Sequence, residues 1–402
     1  VISVLRHGLS IAAGVAVGSV VVFGATSLGG DAPVTQHVPS PAPEPPPYER
    51  TERPDDSELL LAWAPTGTGG LPDDAPDLLE KVRGVRDVTI VSASLDWMSA
   101  SWGPGGGQID DPPDGMKIPI EIAAVDAPAY QRFVPPSDRA AIANLHPGEA
   151  LLSETSAEIR SYVPGMKVKL DGARYSVSGV ISDAAASGYE MVVAGGAPTH
   201  WEIVDRFALI HVKAGRTRAR VTKTLNGTLS AGQVLRIRAK GETPYLRYGD
   251  AVMPQSIIKE SFGEFAARPG PDGTVVIDPR WTERNIQNAR VPILGEVSCH
   301  RALVPQLTEA LREVRRRSLS FLIDTSQFGG CFGPRFIGRV PGGRLSHHAW
   351  GIAIDINALD NAFGTRSDLD PRLIEIMERA GFTWGGRWLV PDGMHFEWVR
   401  FP

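Results

Sequence analysis

The chain has 402 residues, too many for one ordinary hydrophobic core, so two or more domains are expected. A formal charge of −5 on a globular composition gives no electrostatic case for nucleic acid, which is set aside as a partner. Two cysteines, Cys299 and Cys331, are too few for a disulfide-stapled small fold and stand in no CxxC pair, which leaves at most one bridge, in an oxidising compartment.

The 23 residues from Gly8 to Gly30 contain no charged side chain. As a helix rising about 1.5 Å per residue they would cross a hydrocarbon core of about 30 Å. Arg6 precedes the run and Asp31 follows it, so the positive-inside rule puts the N-terminus in the cytoplasm and the rest of the chain outside. A cleaved signal peptide, with secretion, is the rival reading. The length of the run and the lack of a clean A-x-A site near its end favour a single-pass transmembrane helix within residues 1–30. Residues 31–56 carry eight prolines and almost no aliphatics, and read as a semi-rigid polyproline stalk. Such a stalk would reach on the order of 80 Å.

Residues 57–249 change character. Short β-rich runs (DVTIVSA, IPIEIAAV, KVKL, YSVSGVI, FALIHV, VLRIRA) alternate with helical stretches such as APDLLEKVRG and SDRAAIANL, the pattern of an α+β domain. GPGGG at 103–107 has no following Lys-Ser/Thr and reads as a loop, not a phosphate cradle. His200 and His211 have no carboxylate at ligand spacing and read as structural histidines. The stretch EALLSETSAEIRSYVPGMKVKLDGARYSVSGVISD resembles the extracytoplasmic domain of permease-type ABC exporter subunits of the MacB and FtsX kind. The resemblance implies a binding or positioning module, with a protein partner and no chemistry of its own.

Residues 250–402 form the last expected domain, α+β with a small antiparallel sheet. Leu303, Leu307, Leu311 and Val314 recur at helical spacing ahead of a run of arginines, where the helix dipole favours positive charge, with Ser298 as candidate N-cap. A second helix has Asp370 as N-cap, Pro371 at its first position, Leu373, Ile374 and Met377 on one face, and Gly381 beyond its end. GIAIDIN and HFEWVRF read as strands.

The chemistry-bearing residues lie in this last part. A hydrolytic zinc site takes three ligands from His, Asp and Glu and keeps one position open. His348 and Asp355, seven apart, prove little alone; His395 supplies a third ligand. Asp392, three residues before His395, is placed to reach water instead of metal, where a general base belongs. Inside IAIDIN an unpaired buried carboxylate at Asp355 would be costly, and a cation partner removes that cost. Spacing favours His348 over its neighbour His347, which strand alternation would turn the other way. Glu397, two after His395, is positioned to orient a ligand imidazole. Ser346 either hydrogen-bonds near the metal or ends a turn, and Trp384 and Trp388 either line a cleft or pack in the core.

S-x-H-x-x-G-x-A-x-D, matched by Ser346, His348, Gly351, Ala353 and Asp355, and D-x-x-H, matched by Asp392 and His395, resemble the peptidase M15 family of zinc D,D-carboxypeptidases and peptidoglycan endopeptidases related to VanY and VanX. The similarity runs from about Trp281 through GGCFGPRF to the C-terminus. It implies Zn2+ held by His348, Asp355 and His395, with Asp392 as base. It implies Arg335 as the arginine that polarises the scissile carbonyl, although Arg339 and Arg344 nearby leave a plain surface arginine open. The carboxypeptidase branch usually has Glu where Asp392 stands, and the endopeptidase branch often has Asp. The expected activity is a D-alanyl-D-alanine carboxypeptidase on peptidoglycan stem peptides. L-alanyl-D-glutamate endopeptidase, or a non-catalytic wall-binding or assembly protein, are the alternatives. With the domain outside the membrane, a Cys299–Cys331 disulfide would tie the first helix to the arginine loop.

Overall fold

The computed structural model describes residues 58–64, 70–213, 218–229, 236–239 and 253–400. The expected membrane helix and polyproline stalk lie outside the described residues, among which no helix is long and apolar enough to cross a membrane.

Strands β1 (Leu59–Trp63), β2 (Val85–Met98), β3 (Ala100–Trp102), β4 (Ile118–Val125), β5 (Glu149–Ser153), β6 (Lys167–Lys169), β7 (Arg174–Ile181), β8 (Met191–Ala194), β9 (Asp205–Val212) and β10 (Arg236–Ala239) form one sheet. Its order is β10-β1-β9-β2-β4-β8-β5-β7-β6-β3. The β4–β8 and β5–β7 pairs are parallel and the other pairs antiparallel. Helices α1 (Ala75–Glu80), α2 (Ala127–Tyr130), α3 (Arg139–Ala143), α4 (Glu154–Ile159) and α5 (Arg218–Leu229) lie between the strands in sequence.

Alternation along a strand sends neighbouring side chains to opposite faces, and here both faces are apolar. Leu61, Ala123, Val125, Phe207 and Leu209 pack with Ala127, Tyr130 and Ile142 of α2 and α3. Leu60, Ala62, Ala208 and Ile210 pack instead with Ala75 and Leu79 of α1 and Leu225 of α5. β4, IPIEIAAV, is likewise covered on both faces and buried at every position: Ala123 and Val125 belong to the α2–α3 cluster, while Ile118, Ile120, Ile122 and Ala124 pack with Ala157 of α4. His211 stacks on Phe133 at 4.3 Å and has Asp87 3.7 Å from its Nδ1, a packing role. The glycines at 103–107 close a turn through Gly103 N to Gly107 O, 2.8 Å.

The C-terminal part begins with α6 (Gln255–Phe262), the hairpin β11 (Ala267–Pro269) and β12 (Val275–Ile277), α7 (Pro279–Asn285), and the hairpin β13 (Ile286–Val291) and β14 (Gly295–His300). Then come α8 (Leu303–Arg316), β15 (Ala353–Asp355), α9 (Pro371–Arg379), β16 (Phe382–Trp384) and β17 (His395–Trp398). On α8, Leu303, Leu307, Ala310, Leu311 and Val314 form the buried stripe. Ser298 is not its cap: it pairs with Asn288 inside β14, and α8 starts after Ala302 with no side-chain cap. The hairpin claims Ser298's backbone before a helix can. Asp370 does cap α9, its Oδ1 accepting from Arg372 N at 2.8 Å, with Pro371 next.

The described residues all fall in one compact unit. Leu95 and Trp97 of β2 belong to the C-terminal core, packed with Phe336, Trp350 and Phe396 among others. A charged seam joins the two halves: Arg160 lies 3.2 Å from Glu190 and 2.6 Å from Glu264, and Lys259 of α6 lies 2.7 Å from Glu190 and 2.9 Å from Glu264. Burial alone would raise the Glu264 carboxyl, but Arg160 and Lys259 outweigh it and hold it down at about 2.

Candidate metal centre

β15, β17 and β16 form an antiparallel sheet in that order. The register sets Asp355 opposite His395, Ile354 opposite Phe396 and Ala353 opposite Glu397. Period-two alternation therefore sends Asp355, His395 and Glu397 to one face, and Ile354 and Phe396 to the apolar core on the other. Two candidate ligands that are 40 positions apart in sequence thus become cross-strand neighbours.

His348 arrives from a short turn, His347–Ala349, which Ser346 caps: its Oγ accepts from His348 N at 3.4 Å. Ser346 thus starts the turn that presents His348. Gly351 closes the loop behind it with φ 68°, and a Cβ there would sit 2.7 Å from His300 N. His300 N in turn donates to Gly351 O at 2.9 Å, pinning the loop to β14.

The three side chains converge. His395 Nδ1 lies 2.9 Å from Asp355 Oδ1, His348 Nε2 lies 3.2 Å from the same oxygen, and the two ring nitrogens are 3.3 Å apart. A tetrahedral ion about 2.0–2.1 Å from each donor needs edges of about 3.3 Å, so the triangle is of the right size. The remaining nitrogens are spoken for. His348 Nδ1 donates to Cys331 O at 2.7 Å and His395 Nε2 donates to Glu397 Oε1 at 3.2 Å, which turns Nε2 and Nδ1 respectively toward Asp355, where each would face a cation once it has given up its proton. Two imidazoles and a carboxylate with oriented tautomers fit a catalytic zinc and also suit non-haem iron.

The charge distribution is that of a cation site held by protons. Burial opposes charge on His395, but Asp355 and Glu397 outweigh it and push the imidazole up to about 10. Both carboxylates are held well below their usual range despite burial, Asp355 by His348 and His395, Glu397 by His347 and His395. Burial lowers His348. Asp392 is different: burial, reinforced by Asp355 and Glu397, pushes it up to about 6 against the pull of His395 and Arg335. Its Oδ1 is buried without a hydrogen-bond partner among the described residues. Arg335 completes the group, its Nη2 3.6 Å from Asp355 Oδ2, with the side chain partly open to solvent.

All of Arg335, Ser346, His348, Asp355, Asp392, His395 and Glu397 are therefore brought together. Sequence reasoning missed the place of His347 and a backbone strap, and left the two tryptophans open. His347 does not point away: it sits in the turn, not on the strand, and its Nδ1 lies 3.1 Å from Glu397 Oε1. Trp388 is half-buried with its ring 5.4 Å from that of His395, while Trp384 Nε1 donates to Gly393 O at 2.8 Å, holding the Asp392 loop.

The other missed feature is a backbone strap, Gly329–Gly333. Gly329 N donates to Asp355 O (2.9 Å), Asp355 N to Gly330 O (3.2 Å), Gly333 N to His348 O (3.0 Å) and Phe332 N to Ser298 O (2.8 Å). At Gly329 a Cβ would lie 2.7 Å from that of Asp355, so only glycine lets the strap approach. Cys331, in the middle of the strap, is disulfide-bonded to Cys299 of β14, with Cα atoms 5.3 Å apart.

No curated protein matches the chain. Among solved structures the middle region resembles the periplasmic region of MacB from Actinobacillus actinomycetemcomitans, with 13% identity, a TM-score of 0.30, and 46% of this chain and 91% of that one covered. It also resembles a domain of a putative permease protein from Porphyromonas gingivalis (11% identity, TM-score 0.31, 51% and 99% covered). A third likeness is to the extracellular domain of the noncanonic ABC-type transporter YknZ from Gram-positive bacteria (14%, 0.28, 44% and 98%). Residues 341–398, which hold His348, Asp355, Asp392 and His395, match the peptidase M15 family model described as D-alanyl-D-alanine carboxypeptidase, a likeness confined to that C-terminal segment.

Proposed function

We propose that the protein is a zinc metallopeptidase that trims peptidoglycan stem peptides outside the cytoplasmic membrane, as a D-alanyl-D-alanine carboxypeptidase. One observation carries the reading: His348, Asp355 and His395 offer three donor atoms within 4.8 Å of one another, beside the buried, unpartnered oxygen of Asp392. When bound, zinc supplies Lewis acidity that brings the pKa of water near neutrality. Asp392 Oδ1 takes the proton of the attacking water and returns it to the nitrogen of the leaving amine. Burial raises the Asp392 carboxyl, which makes it a stronger base than an exposed carboxylate. Arg335 meets the carbonyl oxygen as negative charge develops there. Glu397 and Cys331 O hold the two imidazoles in the tautomers that bind a cation, and Trp388 walls the site beside His395.

The buried disulfide supports an oxidising compartment. Membrane attachment through residues 8–30, and a protein partner for the ten-stranded sheet, belong to the same reading. Asp at position 392, where the carboxypeptidase branch usually has Glu, favours a second reading, L-alanyl-D-glutamate endopeptidase. The test is to load the protein with zinc, digest defined stem pentapeptides and disaccharide peptides, and weigh the products. Loss of a terminal D-alanine supports the first reading and scission after L-alanine the second. A zinc-loaded protein that leaves both bonds intact refutes both.

A further inference from the structure

Residues 335–346 form a hairpin with two working faces. Ile337 N donates to Arg344 O (2.7 Å), Ser346 N donates to Arg335 O (3.0 Å), and Phe336 pairs with Leu345. One arm carries Arg335, which faces Asp355. The other runs through Arg344 to Ser346, and the turn beyond it is pinned separately, Gly333 N donating to His348 O (3.0 Å) and His300 N to Gly351 O (2.9 Å), so a shift of the hairpin displaces Arg335 while His348 stays held.

The far face of the hairpin is held by the ten-stranded sheet. Arg344 Nε lies 3.3 Å from Glu121 Oε1 on β4 and 3.9 Å from Asp205 Oδ2 at the start of β9. Both carboxylates are buried, at 5% and 4% side-chain exposure, so water screens these charges little. Phe336 meets Trp97 of β2 edge-on at 6.3 Å, and a Cβ at Gly342 would lie 3.6 Å from Glu202. The Arg160–Glu190–Lys259–Glu264 seam fixes the sheet against the C-terminal part, so the grip on Arg344 comes from a stationary support.

We propose that the ten-stranded sheet is part of the catalytic apparatus, Glu121 and Asp205 gripping Arg344 so as to hold the hairpin that aims Arg335 at the substrate. Arg344 is a positioning residue and acts through Arg335. The kinetic part of this inference rests on the peptidase reading; the structural part does not.

The test uses the full chain with Arg344→Ala, Arg344→Lys, Glu121→Gln and Asp205→Asn, read by hydrogen exchange with mass spectrometry and by hydrolysis of stem pentapeptide. Exchange at the Ile337 and Ser346 amides rises about tenfold in Arg344→Ala and Glu121→Gln while α9 is unchanged. Hydrolysis, measured as kcat/KM, falls about 10–100-fold in Arg344→Ala with bound zinc retained, the scale of a misplaced catalytic group. Arg344→Lys recovers part of it, since charge remains but the planar fork is lost. The decisive comparison is a double-mutant cycle: Arg335→Ala with Arg344→Ala is no slower than Arg335→Ala alone. Unchanged exchange in the hairpin overturns the proposal, as do additive losses in the cycle. If Arg344→Ala does not fold, Glu121→Gln and Asp205→Asn are put through the same exchange measurement and cycle. A wild-type protein that cleaves no stem peptide removes the peptidase reading and leaves the exchange result to decide whether the sheet holds the hairpin.

Discussion

Breaking the Cys299–Cys331 bond should weaken metal binding as well as the fold. The bond closes a loop of 32 residues, which in the chain-entropy treatment is worth about 3–4 kcal/mol. At about 2–4 °C per kcal/mol for a domain of this size, Cys299→Ser with Cys331→Ser lowers the melting temperature by roughly 10 °C. The second effect is local. Cys331 O accepts the Nδ1 proton of His348, and the glycines beside it are bonded to Asp355 and His348, so the bond anchors the strap that orients two of the three ligands. Loss of such a supporting hydrogen bond costs about 10–100-fold in metal affinity. Competition for zinc against a chromophoric chelator, run beside calorimetric melting, measures both. A variant that melts early yet binds zinc within twofold of wild type shows that the bond acts on the fold alone, and the strap has no part in the ligand geometry. Because both cysteines are buried, the substitutions, not added reductant, are the clean perturbation.

His348→Ala, Asp355→Ala and His395→Ala should each lose zinc, and metal analysis showing a full complement in any of them sinks that ligand assignment. In the metal-free site His395 holds its proton up to about 10, so at pH 7–8 zinc uptake releases about one proton and weakens as pH falls; calorimetry in buffers of different ionisation heat counts it. Asp392→Asn should keep the zinc while kcat falls about 10²-fold or more, and Asp392→Glu should be milder. Asp392 must be charged to act, so kcat/KM declines as pH falls through about 6, or lower once a cation sits beside it; an acid limb that survives unchanged in Asp392→Asn assigns it to another group. Glu264 is held at about 2 against an unfolded value of about 4.3, so its contribution is complete above about pH 4.3 and disappears as pH falls toward 2. That contribution is on the order of 3 kcal/mol, and Glu264→Gln should flatten the pH dependence of the urea midpoint between pH 5 and 2.5.

Local signals in the sequence translated well into local structure. Asp370, Pro371 and Gly381 mark the ends of α9 because capping chemistry involves only neighbours, and Gly381, at φ 92°, takes the left-handed conformation that favours glycine. The stripe on α8 follows from helical periodicity. Ser298 misled for the same reason: serine before an amphipathic run is a cap signal, but pairing with β13 is a contact with residues ten positions back and outweighs it. The strand order of the ten-stranded sheet had no such signature, because which strands meet depends on packing over the whole sheet.

The site shows the same division more sharply. Spacing picked out His348, Asp355 and His395, which the fold brings together, and strand alternation alone would put His395 and Glu397 on one face. What turns those residues into a centre is the β15–β17 register and a strap made of backbone carbonyls, and a carbonyl carries no mark in the sequence. Three arginines within ten residues looked interchangeable, yet Arg335 faces Asp355, Arg339 is exposed at φ 56°, and Arg344 reaches Glu121 and Asp205. The paired histidines were likewise a choice that the fold declines to make. His348 offers Nε2 to the cation position, and His347 stands beside Glu397, which itself orients His395, so adjacent residues serve one site from two distances. His347, His348 and Asp355 each find a partner on the strand opposite, Glu397 for the first and His395 for the other two.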